Sequence, residues 1–494
     1  MKRILLHALS SSRDTVERGQ CDCNCDCACV SVPSSYILEI SSSALWRRAE
    51  NLYALPLVDG YKIFCSPLSG GVAVLDSSAG DILSQFDLPR NLPDLNFVGI
   101  ARQLAALGFL ESDQDCACTA RSEACTPVMT STATLASWLH LTDRCNLSCD
   151  YCYLPHVRED MSPETGRAAV DAIFRSAAIH GFRQVKIKYA GGEPLLRYPL
   201  ILELHDYARS LADARGLSLD EVVLSNGTLL TAQMAQTLKA LGVRLMISLD
   251  GLGDDHDSHR PYASGRSSFR DVAEAIDLAL SCGLAPTISV TVSSRTAEGL
   301  PQVVDWILAR DLPFSINFYR ENVLSASHSD MRLNEEKIIN GMLAAFKVVE
   351  GNLPRRSLLG SIVDRANLSF PHAHTCAVGQ NYLVFDQNGQ VAKCQMQMQK
   401  PVTNLGVEDP LTAIRADQVG IQNISVEEKE GCKGCEWKYW CAGGCPLETH
   451  RVTGRYDLQS PNCGIYKAIL PEALRLEGLR LLKYADDPEV VMQL

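Results

Sequence analysis

Residues 135–152, LASWLHLTDRCNLSCDYC, run from an apolar stretch directly into a loop with cysteines at 145, 149 and 152. The stretch Leu135–Leu141 is short and mostly apolar, which predicts a buried strand. The loop after it has the spacing C-x3-C-x2-C. Three thiolates this close suit a metal cluster, but they cannot fill four iron sites. A [4Fe–4S] cluster held by Cys145, Cys149 and Cys152 keeps one iron open for a ligand that is not protein. A zinc knuckle and free thiols are the other readings of the spacing alone. Structural zinc takes four ligands, and no partner histidine is expected nearby.

Outward from this loop, strand and helix alternate. Strands are predicted at Leu135–Leu141, Val185–Tyr189, Glu221–Leu224, Arg244–Ser248, Pro286–Val292 and Phe314–Phe318. The helix Pro163–Ile179 takes Ser162 as its N-cap and Pro163 as its first residue. Six β/α units in series over residues 131–325 imply an α/β fold, a parallel sheet closed as a partial (β/α)6 barrel. Sites in such barrels lie at the C-terminal ends of the strands. Residues 326–369 read as a helical linker, with a helix near Asn334–Glu350. Residues 370–470 form a cysteine-rich domain with a hairpin signal, VFDQNGQVAKC, turning at Asn388–Gly389. Residues 471–494 read as a C-terminal tail.

Ahead of the barrel, residues 1–50 read as a loosely ordered, cysteine-rich segment containing CDCNCDCAC, with cysteines at 21, 23, 25, 27 and 29. In a strand that alternation would put the thiols on one face, where they could bind metal or imitate a substrate. A disordered polar tract is the simpler reading. Residues 52–112 form a small unit. It has strand signals at Tyr61–Phe64 and Val72–Leu75, and helical stretches near Ala79–Phe86 and Leu95–Leu107.

The chain has 494 residues, 46% hydrophobic and 21% charged, which reads as globular and as several domains. Its net charge of -12 argues against nucleic acid or anionic lipid as a partner. No apolar run is long enough to span a bilayer, so no membrane partner is expected. The opening MKRILLHALSSSRD lacks the long apolar core and cleavage site of a secretory signal. The expected compartment is the cytoplasm. Twenty cysteines in such a chain point to thiolates held for metal rather than to disulfides.

Three further motifs fall at predicted strand ends: YAGGEPLL (189–196), LSNGTLL (224–230) and ISLDG (247–251). With the cysteine loop they resemble the radical S-adenosylmethionine (SAM) superfamily. That resemblance implies that the open iron binds the amino and carboxylate groups of S-adenosylmethionine, whose reductive cleavage leaves a 5′-deoxyadenosyl radical. It places Tyr151 near the adenine. It gives Gly191, Gly192 and Glu193 the methionine amino group, and a carboxylate suits an ammonium. It sets Ser225, Asn226, Ser248 and Asp250 against the ribose or the carboxylate. Each of these positions reads equally as a polar strand end before a glycine turn. The stretch DGLGDDHDSHR, through Arg260, resembles the same subgroup. The family's fifth-strand glycine motif is not clear in TISVTVSS. The catalytic residues proper stay unassigned.

The second cysteine region repeats a longer pattern. Cys376 is followed by Gly389 and Cys394, then by Cys432, Cys435, Cys441 and Cys445, and Cys463 closes the set. This resembles the SPASM domain at all seven cysteines and at the glycine. The resemblance implies two auxiliary iron–sulfur clusters with interleaved ligands. Cys432, Cys435, Cys441 and Cys463 would hold the outer one. Cys376, Cys394 and Cys445 would hold the inner one, with no further cysteine between Cys376 and Cys394. Sulfatase-maturating members have an Asp just after the cysteine matching Cys394. Here that residue is Gln395, which disfavours sulfatase maturation.

Residues 52–112 more weakly resemble the winged-helix peptide-recognition domains fused to such maturases, through LDSSAGDIL and LAALGFLES. An unrelated small α+β cap is the alternative. Together the resemblances imply a radical SAM/SPASM maturase that modifies a precursor peptide by hydrogen abstraction, forming a crosslink or thioether. Its electron donor would be a flavodoxin or ferredoxin. Rival readings are a radical SAM enzyme acting on a protein or small molecule, and a non-catalytic cluster protein for electron transfer.

Overall fold

The computed structural model describes residues 4–7, 44–67, 69–91, 98–112, 134–369, 371–487 and 490–493. The cysteines at 21–29 and at 116, 118 and 125 lie outside them. Nine strands form the central sheet. They are β1 (Thr134–His140), β2 (Gln184–Ala190), β3 (Ser218–Ser225), β4 (Arg244–Ser248), β5 (Thr287–Val292), β6 (Phe314–Phe318), β7 (Tyr382–Phe385), β8 (Gln390–Ala392) and β9 (Thr403–Asn404). Their order is β6-β5-β4-β3-β2-β1-β7-β8-β9. The strands from β6 across to β7 run parallel, and β8 and β9 are antiparallel additions. The six predicted barrel strands are therefore present, and the cysteine-rich region extends the same sheet through β7.

Both faces of the strands are buried, as a parallel sheet requires. Leu135, Val185, Val223, Leu245 and Ile288 pack into the large helix-covered core. Ala136, Trp138, Ala190, Tyr382 and Val384 form a separate apolar cluster with Cys376, against which Cys152 and Cys394 pack. This inner face is where the barrel meets the cysteine-rich region. The helix Pro163–Ile179 begins as its sequence predicts, the Ser162 hydroxyl accepting from the Thr165 N–H at 3.1 Å. The β7–β8 turn sits at Asn388–Gly389. Gly389 has φ +77°, and a Cβ there would lie 2.6 Å from Leu405.

The two ends of the chain differ from expectation. Residues 471–494 do not form a tail: Cys463–Lys483 is one 21-residue helix, and Val491–Gln493 is a strand. That strand pairs with Ile4–His7. Ile4–His7 in turn pairs with Val72–Leu75, which continues through Lys62–Cys65 to the edge strand Tyr53–Pro56. Leu45–Arg48 lies between Arg90–Asn91 and Leu110–Ser112 in a second small sheet. The segment 1–50 thus contributes two strands. Sequence periodicity misses them because four-residue strands carry almost no pattern. The unit's helices, Ser77–Ser84 and Val98–Ala106, pack over a core that includes Trp46, Phe64, Phe86 and Phe109. Among the described residues, no helix is long and apolar enough to cross a membrane.

The C-terminal helix fastens this unit to the barrel. At Gly478 a Cβ would lie 2.7 Å from Leu57 and 3.2 Å from Ile63. Beside it Glu477 and Arg480 form a buried pair at 2.6 Å, and Arg480 also donates to the Arg355 carbonyl. Gly478→Leu should overpack this contact and cost about 1–3 kcal/mol, read as a lower urea midpoint. An unchanged midpoint would show that helix and sheet do not meet closely at this position.

Candidate active site

The three thiols of the first loop converge at the C-terminal end of β1. Cys145, Cys149 and Cys152 are half-buried and interact electrostatically with one another. Burial pushes the Cys145 thiol up to about 11, and it raises Cys149 and Cys152 as well. Arg260 pulls the other way at all three. Its guanidinium lies 3.9 Å from Cys149 Sγ and 5.1 Å from the centre of the Tyr151 ring. One cation thus stands over the loop and favours thiolate, the form a metal needs. Arg260 closes the stretch DGLGDDHDSHR that begins with its partner Asp250, but its contact with Cys149 spans 111 residues and no local signal announces it.

The expectation of no nearby histidine is corrected by His156, whose Nε2 lies 3.2 Å from Cys152 Sγ. Its sequence signal was simple proximity, four residues past the last cysteine. Among the described residues, no group of three or more His, Cys, Asp or Glu side chains converges as ligands of one metal ion would. A cluster, in which each thiolate meets its own iron, does not ask for that convergence.

The loop after β2 holds the cysteine loop by backbone. Gly192 N–H donates to the Thr142 carbonyl at 2.7 Å, and Glu193 N–H to the Arg144 carbonyl at 2.8 Å. A Cβ on Gly191 would lie 2.5 Å from Thr142 O, and one on Gly192 2.4 Å from Arg144 O. Both glycines are therefore required by protein packing. The Glu193 side chain is fully buried, and burial raises its carboxyl to about 7. It accepts from Leu195 N–H (2.9 Å), Ser225 Oγ (2.8 Å) and Asn226 N–H (2.7 Å). Three of roughly four acceptor positions are filled, which leaves one for a ligand ammonium.

Asn226 closes a ring of contacts back to the cysteines. Its Nδ2 donates to Asn146 Oδ1 at 2.9 Å and lies 3.8 Å from Cys145 Sγ. Asn146 Nδ2 donates to Thr228 Oγ1, which donates to Asn226 Oδ1. Asn146 and Thr228 escape a motif reading because each is an ordinary polar loop residue until the fold joins them. Ser248 ends β4 half-buried, in register with Ser289. Asp250 is buried and accepts from Tyr151 Oη (2.5 Å), Arg260 Nε (2.6 Å) and the Thr291 N–H (2.8 Å). Burial opposes its charge, yet Arg260, His259 and His256 together hold its carboxyl below the usual range. The hydroxyl of Tyr151 is thereby fixed on Asp250, and its ring edge meets His259 at 5.6 Å.

The seven cysteines of the second region fall into two groups by mutual interaction. Cys441 feels Cys432, Cys435 and Cys463, while Cys376 and Cys394 feel Cys445. Burial pushes Cys376, Cys394 and Cys432 up to about 11 and Cys441 to about 12. Arg365 counters this at Cys376 and Cys394. Gln395 is buried, its Oε1 accepting from Tyr382 Oη at 3.2 Å. Tyr53 of the N-terminal edge strand packs edge-on against Trp437, between Cys435 and Cys441, at 4.3 Å. Cys65 is a core residue, and Cys282 packs half-buried at the core margin.

Residues 139–307 match the model of the Radical SAM superfamily. An uncharacterized protein of Methanocaldococcus jannaschii is 29% identical over 222 residues, 44% of this chain and 74% of that one. The serine-type anaerobic sulfatase-maturating enzyme of Klebsiella aerogenes is 26% identical over 339 residues, 63% of this chain and 80% of that one. The solved structure of native anSMEcpe with bound AdoMet and Kp18Cys peptide shares the fold. It has a TM-score of 0.59 at 20% identity, covering 72% of this chain and 99% of that one.

Gly192→Ala should force the two loops apart, because the contacting atoms are backbone. We expect a loss of about 1–3 kcal/mol in urea unfolding, together with loss of bound iron. Gly80→Ala, inside the helix Ser77–Ser84 with nothing within 4 Å of its Cβ, should lower neither, since alanine favours a helix over glycine. Equal behaviour of the two variants would remove the packing argument.

Proposed function

Residues 139–307 form a radical SAM domain, and on that premise we propose that this enzyme modifies a ribosomally made peptide by hydrogen abstraction, forming a crosslink or thioether. The observation that carries the reading is the grouping of ten thiols into three sets. One sits at the barrel mouth (Cys145, Cys149, Cys152), one beside the barrel's inner face (Cys376, Cys394, Cys445) and one further out (Cys432, Cys435, Cys441, Cys463). The donor sets fit a catalytic [4Fe–4S] cluster and two auxiliary clusters: soft thiolates, three where a coordination site stays open and four where it closes. With S-adenosylmethionine bound, a cluster held by the first set and reduced by one electron would supply a 5′-deoxyadenosyl radical and release methionine.

The chain's own residues would hold the cofactor as follows. The free acceptor position on Glu193 and the backbone around Gly191 and Gly192 take the methionine ammonium. Ser225, Asn226 and Ser248 present polar groups at the ends of β3 and β4, toward ribose and carboxylate. Asp250 positions Tyr151 through its hydroxyl, so the ring offers a fixed apolar surface to the adenine. Water exclusion falls to the apolar cluster of Trp138, Leu154, Tyr382 and Met398 beside the thiols. An electron donor of the flavodoxin or ferredoxin kind would serve the first loop.

A peptide substrate is supported by the fused N-terminal unit. Its edge strand Tyr53–Pro56 could take an added peptide strand, and it lies against Trp437 beside the outer thiols. Gln395, at the position where sulfatase maturases have an Asp, supplies no carboxylate base and argues against sulfatase maturation.

Replacing Cys145, Cys149 and Cys152 together by Ala should abolish S-adenosylmethionine cleavage and leave about two thirds of the iron. Wild-type cleavage by that variant would sink the assignment. In a second test, the genes flanking this one are searched for a short open reading frame, and any such peptide is co-expressed with the enzyme. The peptide should lose the mass of two hydrogens, and only with the intact first loop. An unchanged peptide beside active 5′-deoxyadenosine release would overturn the peptide reading while leaving the radical SAM domain intact.

A further inference from the structure

Lys429 is fully buried. Its ammonium donates to the Ala442 carbonyl at 2.9 Å, on the residue that follows Cys441. Thr375, next to Cys376, donates to the same carbonyl at 2.9 Å and to the Gly444 carbonyl at 2.7 Å. Ala442, Gly443 and Gly444 all have positive φ, at 43°, 75° and 69°. The chain between Cys441 and Cys445 therefore curls tightly around the ammonium. At Gly443 a Cβ would lie 2.9 Å from Lys429 Nζ and 2.5 Å from its Cδ, so the glycine is required by the lysine.

The ionisable groups that act most strongly on this ammonium are four thiols, Cys432, Cys441, Cys376 and Cys445, none of them a carboxylate. The imidazole of His374 also lies within its field. Two of the four thiols belong to each auxiliary set. A cation taken wholly out of water is strongly disfavoured unless negative charge stands beside it. Protein groups here provide one neutral carbonyl. Anionic metal–thiolate centres on both sides would provide the rest.

We propose that Lys429 is the shared counter-cation of the two auxiliary sites, a positioning residue whose fixed charge raises the reduction potential of both centres. This rests on the auxiliary-cluster reading above. A positive charge near a cluster stabilises its reduced form, and net charge and hydrogen bonding are among the factors that set such potentials. Placed between the sites, one charge acts on both, and its carbonyl partner lies on the covalent link from Cys441 to Cys445.

The test uses the full-length chain carrying the Cys145/Cys149/Cys152→Ala changes, so that only auxiliary signals remain, with iron content and an electron paramagnetic resonance redox titration as readouts. About eight irons per chain are expected in this parent. If the parent binds none, the auxiliary-cluster reading falls and the inference with it. Lys429→Met should lower both potentials by about 59 mV or more, a tenfold change for a one-electron couple, while Lys429→Arg should stay near the parent. Parent potentials in Lys429→Met, with iron retained, overturn the inference alone. If Lys429→Met loses its iron, retention by Lys429→Arg supports the charge role, and loss in both variants overturns it.

Discussion

The close approach of two backbones, at Gly191–Gly192 and Thr142–Arg144, is the constraint on which the rest of the site depends. Only residues without a Cβ let the loop after β2 lie within hydrogen-bonding distance of the loop that carries the cysteines. Once Glu193 is fixed there, its carboxylate reaches the end of β3, and Asn226 reaches back to Asn146 and Cys145. The positions of the three thiols follow from this closed circuit across three strand ends rather than from the cysteine loop alone.

Charge is arranged to match. Burial keeps the thiols protonated, whereas metal ligation needs thiolate. Cations offset this at each site: the partly buried Arg260 at the first loop, the partly buried Arg320 and Arg365 near the inner set, and the buried Lys429 between the inner and outer sets. Arg260 and Arg320 are themselves held by buried carboxylates, Asp250 and Asp364. They are rigid supports whose removal would strand a buried charge, at about 3–5 kcal/mol. Lys429 differs in having thiols instead of a carboxylate for neighbours, which is why its environment is informative about what those thiols hold.

The N-terminal unit is integrated with the rest of the chain through its sheet. One edge of that sheet is occupied by the chain's own Val491–Gln493, and its opposite edge strand carries Tyr53 against Trp437. The helix Cys463–Lys483 runs from a cysteine of the outer set to the underside of that sheet. The N-terminal unit and the cysteine-rich region therefore share one helix, and a strand added beside Tyr53–Pro56 would lie next to the outer thiols.

Local pattern determined much of this protein. The strand-to-cysteine transition at 135–152, the six strand segments, the Ser162 cap and the Asn388–Gly389 turn each depend on residues within a few positions of one another, so the sequence by itself determines them. The cysteine spacings belong to the same class, because ligand number and reach are set by short loops. The tertiary structure alone decided which side chains complete the site. Arg260 meets Cys149 across 111 residues and Asn226 meets Asn146 across 80. Lys429 acquires its distinct environment only when Ala442 and four thiols close around it. The strands Ile4–His7 and Val491–Gln493 are legible only as partners, since an isolated strand of three or four residues has neither periodicity nor stability of its own. Spacing carries covalent reach and helix or strand period; burial, and the charges that burial makes costly, exist only after the chain has folded.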